Sequence, residues 1–346
     1  MPILPMTKTP PKPSLSDLTV LCYGQTKIGK CLGGNSLLVN PLNGRLVRME
    51  SLVHHQPGPV LTMREAGLLA SQTPSAFVEN EPEQLYLLKT QTGRWIEATA
   101  NHPFLTREGW KPLSELGLGD RVAVVAQYPL LACHGETDDE LVKILAYLIA
   151  DGSLANHGAI FTKTDPMVRM DFEAAVEAKG DECVEFVNQK GITHVRIRGK
   201  RGHRNNVIGH LRRFGLTGLR SREKFIPDFV FGLTRRKQKL FLNRLFTCDG
   251  SVEASGRISF SSTSVRMVEQ VQHLLARYGI VSLIRDRFLN GSLYGAELYI
   301  AAKDDVLRFI DQIGFYGEKA VKAEAVRQNL YQVRAAETQL DRVGPI

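Results

Sequence analysis

Two groups of residues in this chain have side chains suited to breaking bonds. The first is Cys31 with Thr99 and His102. A thiol is nucleophilic near neutral pH once a neighbour helps remove its proton, so Cys31 is suited to attack a carbonyl carbon. An imidazole such as His102 can move a proton, and a hydroxyl such as that of Thr99 can hydrogen-bond a reacting group. The second group is a pair of Asp-Gly steps, Asp151-Gly152 and Asp249-Gly250, each closing an apolar helical segment. Two such helices side by side would bring both carboxylates to one edge. A pair of that kind suits Mg²⁺, which takes one or two carboxylates plus waters and phosphate oxygens. Two such centres can activate water against both strands of a duplex. Taken singly, each feature has a plainer reading: a buried structural thiol, a His-Pro turn, a helix C-terminal cap.

The positioning elements follow from the patterning. Residues 141–150, LVKILAYLIA, are apolar almost all round, which predicts a buried helix. Thr137 and Glu140 form a capping box of the Ser/Thr-x-x-Glu type at its start. Ala146 and Ala150 are small and one turn apart, so a second helix can approach closely. KLFLNRLFTCDG, residues 239–250, is the counterpart. Each copy continues with a strand (158–163 or 257–262), a helix (166–179 or 265–278), two strands and a last helix (207–214 or 304–313). The second copy has Asn290-Gly291 as a strong hairpin signal. This is an internal repeat. Residues 31 to about 128 instead carry short β segments between turn signals such as Thr92-Gly93 and Gly119-Asp120, an all-β pattern.

Ahead of Cys31, a strand-like DLTVLCY runs into Gly24-Gln25-Thr26-Lys27-Ile28-Gly29-Lys30. This is the G-x-x-x-x-G-K of a nucleotide-binding P-loop, with Gly24, Gly29 and Lys30 as its phosphate-contacting residues. The Ser or Thr and the helix that should follow are replaced by Cys31-Leu32-Gly33-Gly34, so the loop is broken after its lysine. The 346 residues suffice for two or three domains. Five cysteines without a C-x-x-C pair argue against zinc and against a disulfide framework, which points to a reducing, cytoplasmic setting. No run of about 18 apolar residues exists to span a membrane. The Pro/Lys-rich start has no apolar core, so it reads as a disordered leader and not a signal peptide. The net charge of +8 is concentrated: ten Lys/Arg against one acid from Arg196 to Lys224. Arg196, Arg198, Lys200, Arg201, Arg204, Arg212 and Arg213 are the candidates there for DNA phosphate contacts. A second basic run is Arg235, Arg236, Lys237 and Lys239. A solvated basic face is the plain alternative for both.

ILAYLIADG (144–152) and LNRLFTCDG (242–250) resemble the two motifs of single-chain LAGLIDADG (DOD-type) homing endonucleases, and Lys224-Phe225-Ile226-Pro227 resembles their Lys-x-Ile-Pro block. The resemblance implies Asp151 and Asp249 as metal-binding catalytic acids using Mg²⁺, and Lys224 as a basic helper. It also implies double-stranded DNA as partner, the target being the uninterrupted host gene. Where that family often has Gly at the helix crossing, this chain has Ala146 and Arg244, and the large Arg244 is expected to loosen the pair. CLGGNSLLVN from Cys31 and residues 93–125, with Thr99 and His102, resemble the opening and second splicing blocks of inteins. The resemblance implies that Cys31 attacks the carbonyl of Lys30 and exchanges the amide for a thioester, that His102 protonates or polarises the leaving amide nitrogen, and that the Thr99 hydroxyl supports the strained peptide. The implied architecture is multidomain. Residues 1–30 are a host-protein segment with a partial P-loop. Residues 31–130 are an all-β, horseshoe-like Hint splicing domain. Residues 137–318 are an α+β endonuclease of pseudo-twofold αββαββα repeats, and 319–346 a linker and truncated return to the Hint domain. No closing His-Asn is present, so the chain is expected to form the thioester but not to complete splicing alone; the open readings are a truncated gene, a fragment, or one half of a split intein with a C-terminal intein fragment as its partner. The rivals are a DNA-binding module whose nuclease has decayed and a P-loop ATPase with an inert insertion.

Overall fold

The computed structural model describes residues 3–4, 18–19, 31–54, 58–63, 69–75, 84–125, 127–128, 137–155 and 158–332. The expected P-loop residues Gly24, Gly29 and Lys30 lie outside these. So does the 17–23 strand apart from Leu18 and Thr19. The chain divides into two compact units between residues 131 and 132.

In the first unit the β pattern becomes short antiparallel strands. They are β1 (Ile3–Leu4), β2 (Leu18–Thr19), β3 (Leu32–Gly33), β4 (Leu37–Val39) and β5 (Leu46–Arg48), then, after helix α1 (Met49–His54), β6 (Val60–Met63) and β7 (Leu69–Gln72). β8 (Leu85–Lys89), β9 (Trp95–Thr99), β10 (Pro103–Thr106) and β11 (Gly109–Pro112) follow. Five of them form one sheet in the order β1-β8-β9-β3-β2, and the rest pair as hairpins. The β8–β9 hairpin turns at Gly93, whose φ of 83° is the left-handed conformation that glycine adopts without strain. Leu32, Met49, Leu88, Ala98 and Leu113 make the core beneath the sheet. β3 can lie this close to β9 only because residue 33 has no side chain: a Cβ there would stand 2.7 Å from Glu97 Cβ, which cannot swing aside.

The second unit contains the expected repeat. Its first copy is α2 (Asp139–Asp151), β12 (Gly152–Ser153), β13 (Ile160–Thr162), α3 (Pro166–Ala178), β14 (Asp181–Val187), β15 (Thr193–Gly199) and α4 (Asn206–Arg213). After the short α5 (Asp228–Phe231) comes the second: α6 (Arg235–Asp249), β16 (Gly250–Val252), β17 (Ile258–Ser262), α7 (Val265–Ala276), β18 (Leu283–Leu289), β19 (Ser292–Ile300) and α8 (Lys303–Gln312). Both four-stranded sheets are antiparallel with the same strand order, β12-β13-β15-β14 and β16-β17-β19-β18. α2 and α6 pack on each other, and a single apolar cluster runs through both copies. The Asn290-Gly291 hairpin forms as expected, with both residues at positive φ.

Two boundaries differ from expectation. The cap of α2 is Asp138 and not Thr137: its carboxylate accepts from the Leu141 N–H at 2.8 Å, and a charged acceptor suits the helix N-terminus better than a hydroxyl. The unit also continues past 318, because α9 (Glu318–Gln332) buries Ala323 and Val326 in the same core. No helix among the described residues is long and apolar enough to cross a membrane.

Candidate functional site

Cys31 is fully buried at the start of β3, beside the end of β9. Its backbone N–H, the nitrogen of the bond that would be cut, donates to the Thr99 hydroxyl at 3.0 Å. The Thr99 N–H donates back to the Cys31 carbonyl, also at 3.0 Å. The hydroxyl is oriented in turn by Asn101, whose Oδ1 accepts from it at 2.7 Å. The His102 N–H donates to the Thr99 carbonyl at 3.0 Å, fixing the backbone that carries the imidazole, and the ring lies against Phe104 with centroids 5.4 Å apart. Thr99 and the His102 turn, 68 residues and more after Cys31, thus join it in one constellation. Asn101 is the member that sequence reasoning left out, although it sits inside the same four-residue block.

In the second unit the parallel packing of α2 and α6 brings the two Asp-Gly steps together. Lys163, the residue after β13, ties them: its Nζ is 2.6 Å from Asp151 Oδ2 and 3.1 Å from the Cys248 carbonyl oxygen. Burial and the negative charge of Asp151 push Asp249 up to about 7, with Lys224, Lys163 and Lys319 working against the rise. Lys224 is buried, and its ammonium donates to three carbonyls at the end of α2: Leu148 at 3.2 Å, Ala150 at 3.0 Å and Gly152 at 2.6 Å. Lys319 does the same at the end of α6, donating to Cys248 at 3.0 Å and Gly250 at 2.5 Å. Both lysines cap the negative ends of helices. Neither Lys163 nor Lys319 belongs to a recognisable sequence block, so nothing in the primary structure marks them.

The glycines after the aspartates have ordinary backbone angles, φ −83° and ψ 146° at Gly152, φ −88° and ψ 162° at Gly250. Their role is not the left-handed cap that an Asp-Gly step suggests. A Cβ on Gly152 would stand 2.4 Å from the Leu148 carbonyl oxygen, and one on Gly250 2.6 Å from that of Phe246. The chain folds back onto the last helical turn, and only glycine fits.

The chain's known relatives bear on this geometry. Residues 236–314 match the LAGLIDADG-like domain family. Over 95% of its length the chain is 29% identical to the replicative DNA helicase DnaB of Synechocystis sp., of which it covers 38%. The chain thus spans well under half the length of such curated relatives. Among solved structures, a DnaB intein from Synechocystis sp. is 34% identical over 28% of this chain and 70% of its own, with a TM-score of 0.25. A mesophilic variant of the homing endonuclease I-DmoI is 12% identical over 51% of this chain and 95% of its own, with a TM-score of 0.37.

Within the second unit, Arg244 does not loosen the helix pair. Its Nε donates to Asp171 on α3 at 2.8 Å, its Nη1 to Asn243 at 2.7 Å, and its guanidinium lies 4.0 Å from the centre of the Tyr316 ring. Lys143 and the Tyr147 hydroxyl, both on α2, also donate to Asp171 at 2.8 Å. One carboxylate therefore joins α2, α3 and α6. Burial works to raise Asp171, but these three hydrogen bonds outweigh it and hold the group below the usual carboxylate range.

The seven expected DNA-contacting residues do not form one surface. Arg196 and Arg198 point outward from β15, since Val195 and Ile197 between and beside them are buried. Lys200, Arg201 and Arg204 are exposed on the loop after that strand. Arg212 and Arg213 lie instead on α4, where with Arg204 and His210 they line an open cleft of about 640 Å³. Burial and the charge of Lys179 hold His210 below the usual imidazole range, with Asp138, at the far end of α2 from Asp151, working against them. The run Arg235, Arg236, Lys237 and Lys239 opens α6, about 20 Å from Asp249 along a 15-residue helix, and Arg236 is paired with Asp139. Both groups are set apart from the carboxylates by the length of a helix. The second sheet supplies what the sequence reading missed. Arg285 and Arg287 are exposed on β18, and Arg285 lies 5.6 Å from the centre of the Tyr299 ring.

Proposed function

We propose that the chain is intein material. Cys31 opens an acyl shift at the Lys30–Cys31 bond, and the second unit is a site-specific double-strand DNA endonuclease of the homing type. The observation that carries the nuclease reading is the juncture of Asp151 and Asp249 at the paired ends of α2 and α6. Among the described residues no cluster of three or more His, Cys, Asp or Glu is placed to hold a metal. A divalent cation would therefore rest on these two carboxylates and on phosphate oxygens of the DNA, which is how Mg²⁺ is commonly held. The donor chemistry fits: Asp249 is pushed up by burial and then by its neighbour Asp151, and a cation between them would relieve that repulsion. A bound Mg²⁺ would lower the pKa of water and neutralise charge at the phosphate. The chain's own part is to hold the carboxylates in place, with Lys224 and Lys319 fixing the helix ends and so acting as positioning residues. The two repeats, related by a pseudo-twofold, would present their outer sheet faces to the duplex, with Arg196 and Arg198 on one and Arg285 and Arg287 on the other. Such contacts fix register through phosphates while neighbouring side chains read base edges.

For the Hint half, the support is the Cys31 amide seated on the Thr99 hydroxyl. That bond orients the scissile peptide, Asn101 orients the hydroxyl, and His102 supplies the proton to the departing nitrogen. The DNA partner would be the intein-less host gene, centred on the codons for Gly29-Lys30, since an insertion there interrupts a P-loop. Asp249→Asn tests the nuclease: it should abolish Mg²⁺-dependent cutting of at least one strand while retaining DNA affinity, which rests mainly on Lys/Arg–phosphate contacts. Normal cutting of both strands by that variant would refute the assignment.

A further inference from the structure

We propose that Lys163 is a built-in counter-cation for Asp151, which holds the nuclease centre together without metal and competes with a divalent cation for that carboxylate. This rests on the reading of Asp151 as a metal ligand. Of the three lysines around the helix ends, Lys163 is the one whose ammonium lies against a carboxylate, 2.6 Å from Asp151 Oδ2. The ammonium of Lys224 already meets three backbone carbonyls, and Lys319 two. A Ca²⁺ or Mg²⁺ ion binds carboxylate oxygens at roughly 2.0–2.6 Å, which is the space the ammonium takes. A cation seated on Oδ2 must therefore displace the ammonium, since the two cannot occupy that position together.

The arrangement is lopsided, and the strand registers show why. Phe161 faces Gly152 across β12–β13, and Phe260 faces Gly250 across β16–β17. Two residues further on, Lys163 in the first repeat therefore matches Ser262 in the second. Ser262 is uncharged, and its hydroxyl oxygen accepts from the Ser264 N–H at 3.1 Å. Asp249 thus has no counterpart of Lys163. The backbone at Lys163 is itself pinned, its carbonyl accepting from Arg169 Nη1 at 3.2 Å, so the side chain and not the strand must swing aside. A lysine has the flexible stem for that, and once displaced its charge can meet an incoming phosphate.

Calcium titration by calorimetry, on the full chain already saturated with the joined P-loop duplex to supply the phosphate ligands, tests the proposal. Lys163→Met keeps the length of the stem and removes the charge; it should bind Ca²⁺ about tenfold more tightly than wild type. Lys163→Arg keeps the charge and should bind within about threefold of wild type. Thermal melting supplies an independent readout: metal-free Lys163→Met should melt lower than wild type, and Ca²⁺ should raise its melting point by the larger amount. Equal or weaker Ca²⁺ binding by Lys163→Met would overturn the role given to Lys163. Asp151→Asn separates the two readings. If it weakens Ca²⁺ binding while Lys163→Met has no effect, only the counter-cation is wrong; if it leaves binding unchanged, or wild type binds no Ca²⁺, the metal site itself is wrong.

Discussion

In the proposed acyl shift, one hydroxyl holds the nitrogen of the peptide bond that would rearrange. The Thr99 Oγ1 accepts the Cys31 N–H and is itself held by Asn101. Thr99→Ala should therefore slow thiol-induced release of residues 1–30 by about 10²-fold, and Asn101→Ala by less, while Cys31→Ala should release nothing. Mass spectrometry after dithiothreitol treatment reads all three. Cys31, Thr99 and His102 were legible because each belongs to a block with fixed spacing. Lys163 and Lys319 were not, since a lone lysine is ambiguous until the fold brings it to a helix end. Arg244 was legible as an anomaly but misjudged. Its partner Asp171 is 73 residues away on another helix, and no local pattern announces such a pairing.

Helices and strands were read well where periodicity and turn chemistry agree, as in α2, α6 and the Asn290-Gly291 hairpin. They were read poorly where tertiary packing decides, as in α9, whose charged sequence hides the two residues it buries. The element-scale prediction concerns Asp171, where α2, α3 and α6 meet. A carboxylate held below its ordinary value adds stability that is fully present above about pH 4 and is lost as pH falls through its lower folded value. Asp171→Asn should therefore cost about 3 kcal/mol near pH 7, and the gap to wild type should close below about pH 4. Urea midpoints across that range give the answer. A gap that widens in acid would place the stabilisation elsewhere. Gly152→Ala should also destabilise, by about 2 kcal/mol, because the new methyl group meets the backbone of Leu148 and not a side chain that could yield.

For the whole molecule, the proposed chemistries fall on separate units with separate residues, so the variants should be separable. Asp151→Asn should leave thiol-induced release at Cys31 unchanged, and Cys31→Ala should leave Mg²⁺-dependent DNA cutting unchanged. The division into a β-rich unit and an αββαββα unit was legible from the change of pattern near residue 137. The distribution of positive charge was not: the sequence shows basic runs, but only the fold separates Arg196 and Arg198 from Arg212 and Arg213. The most direct measurement offers the purified chain, with Mg²⁺, two duplexes that differ only at the codons around Gly29-Lys30. One carries the P-loop coding sequence joined to a Ser or Thr codon, the other the interrupted version. Cutting of both strands of the joined duplex alone, lost in the Asp151→Asn, Asp249→Asn double variant, is the expected result. Equal cutting of both duplexes, or cutting that survives in the double variant, would contradict it.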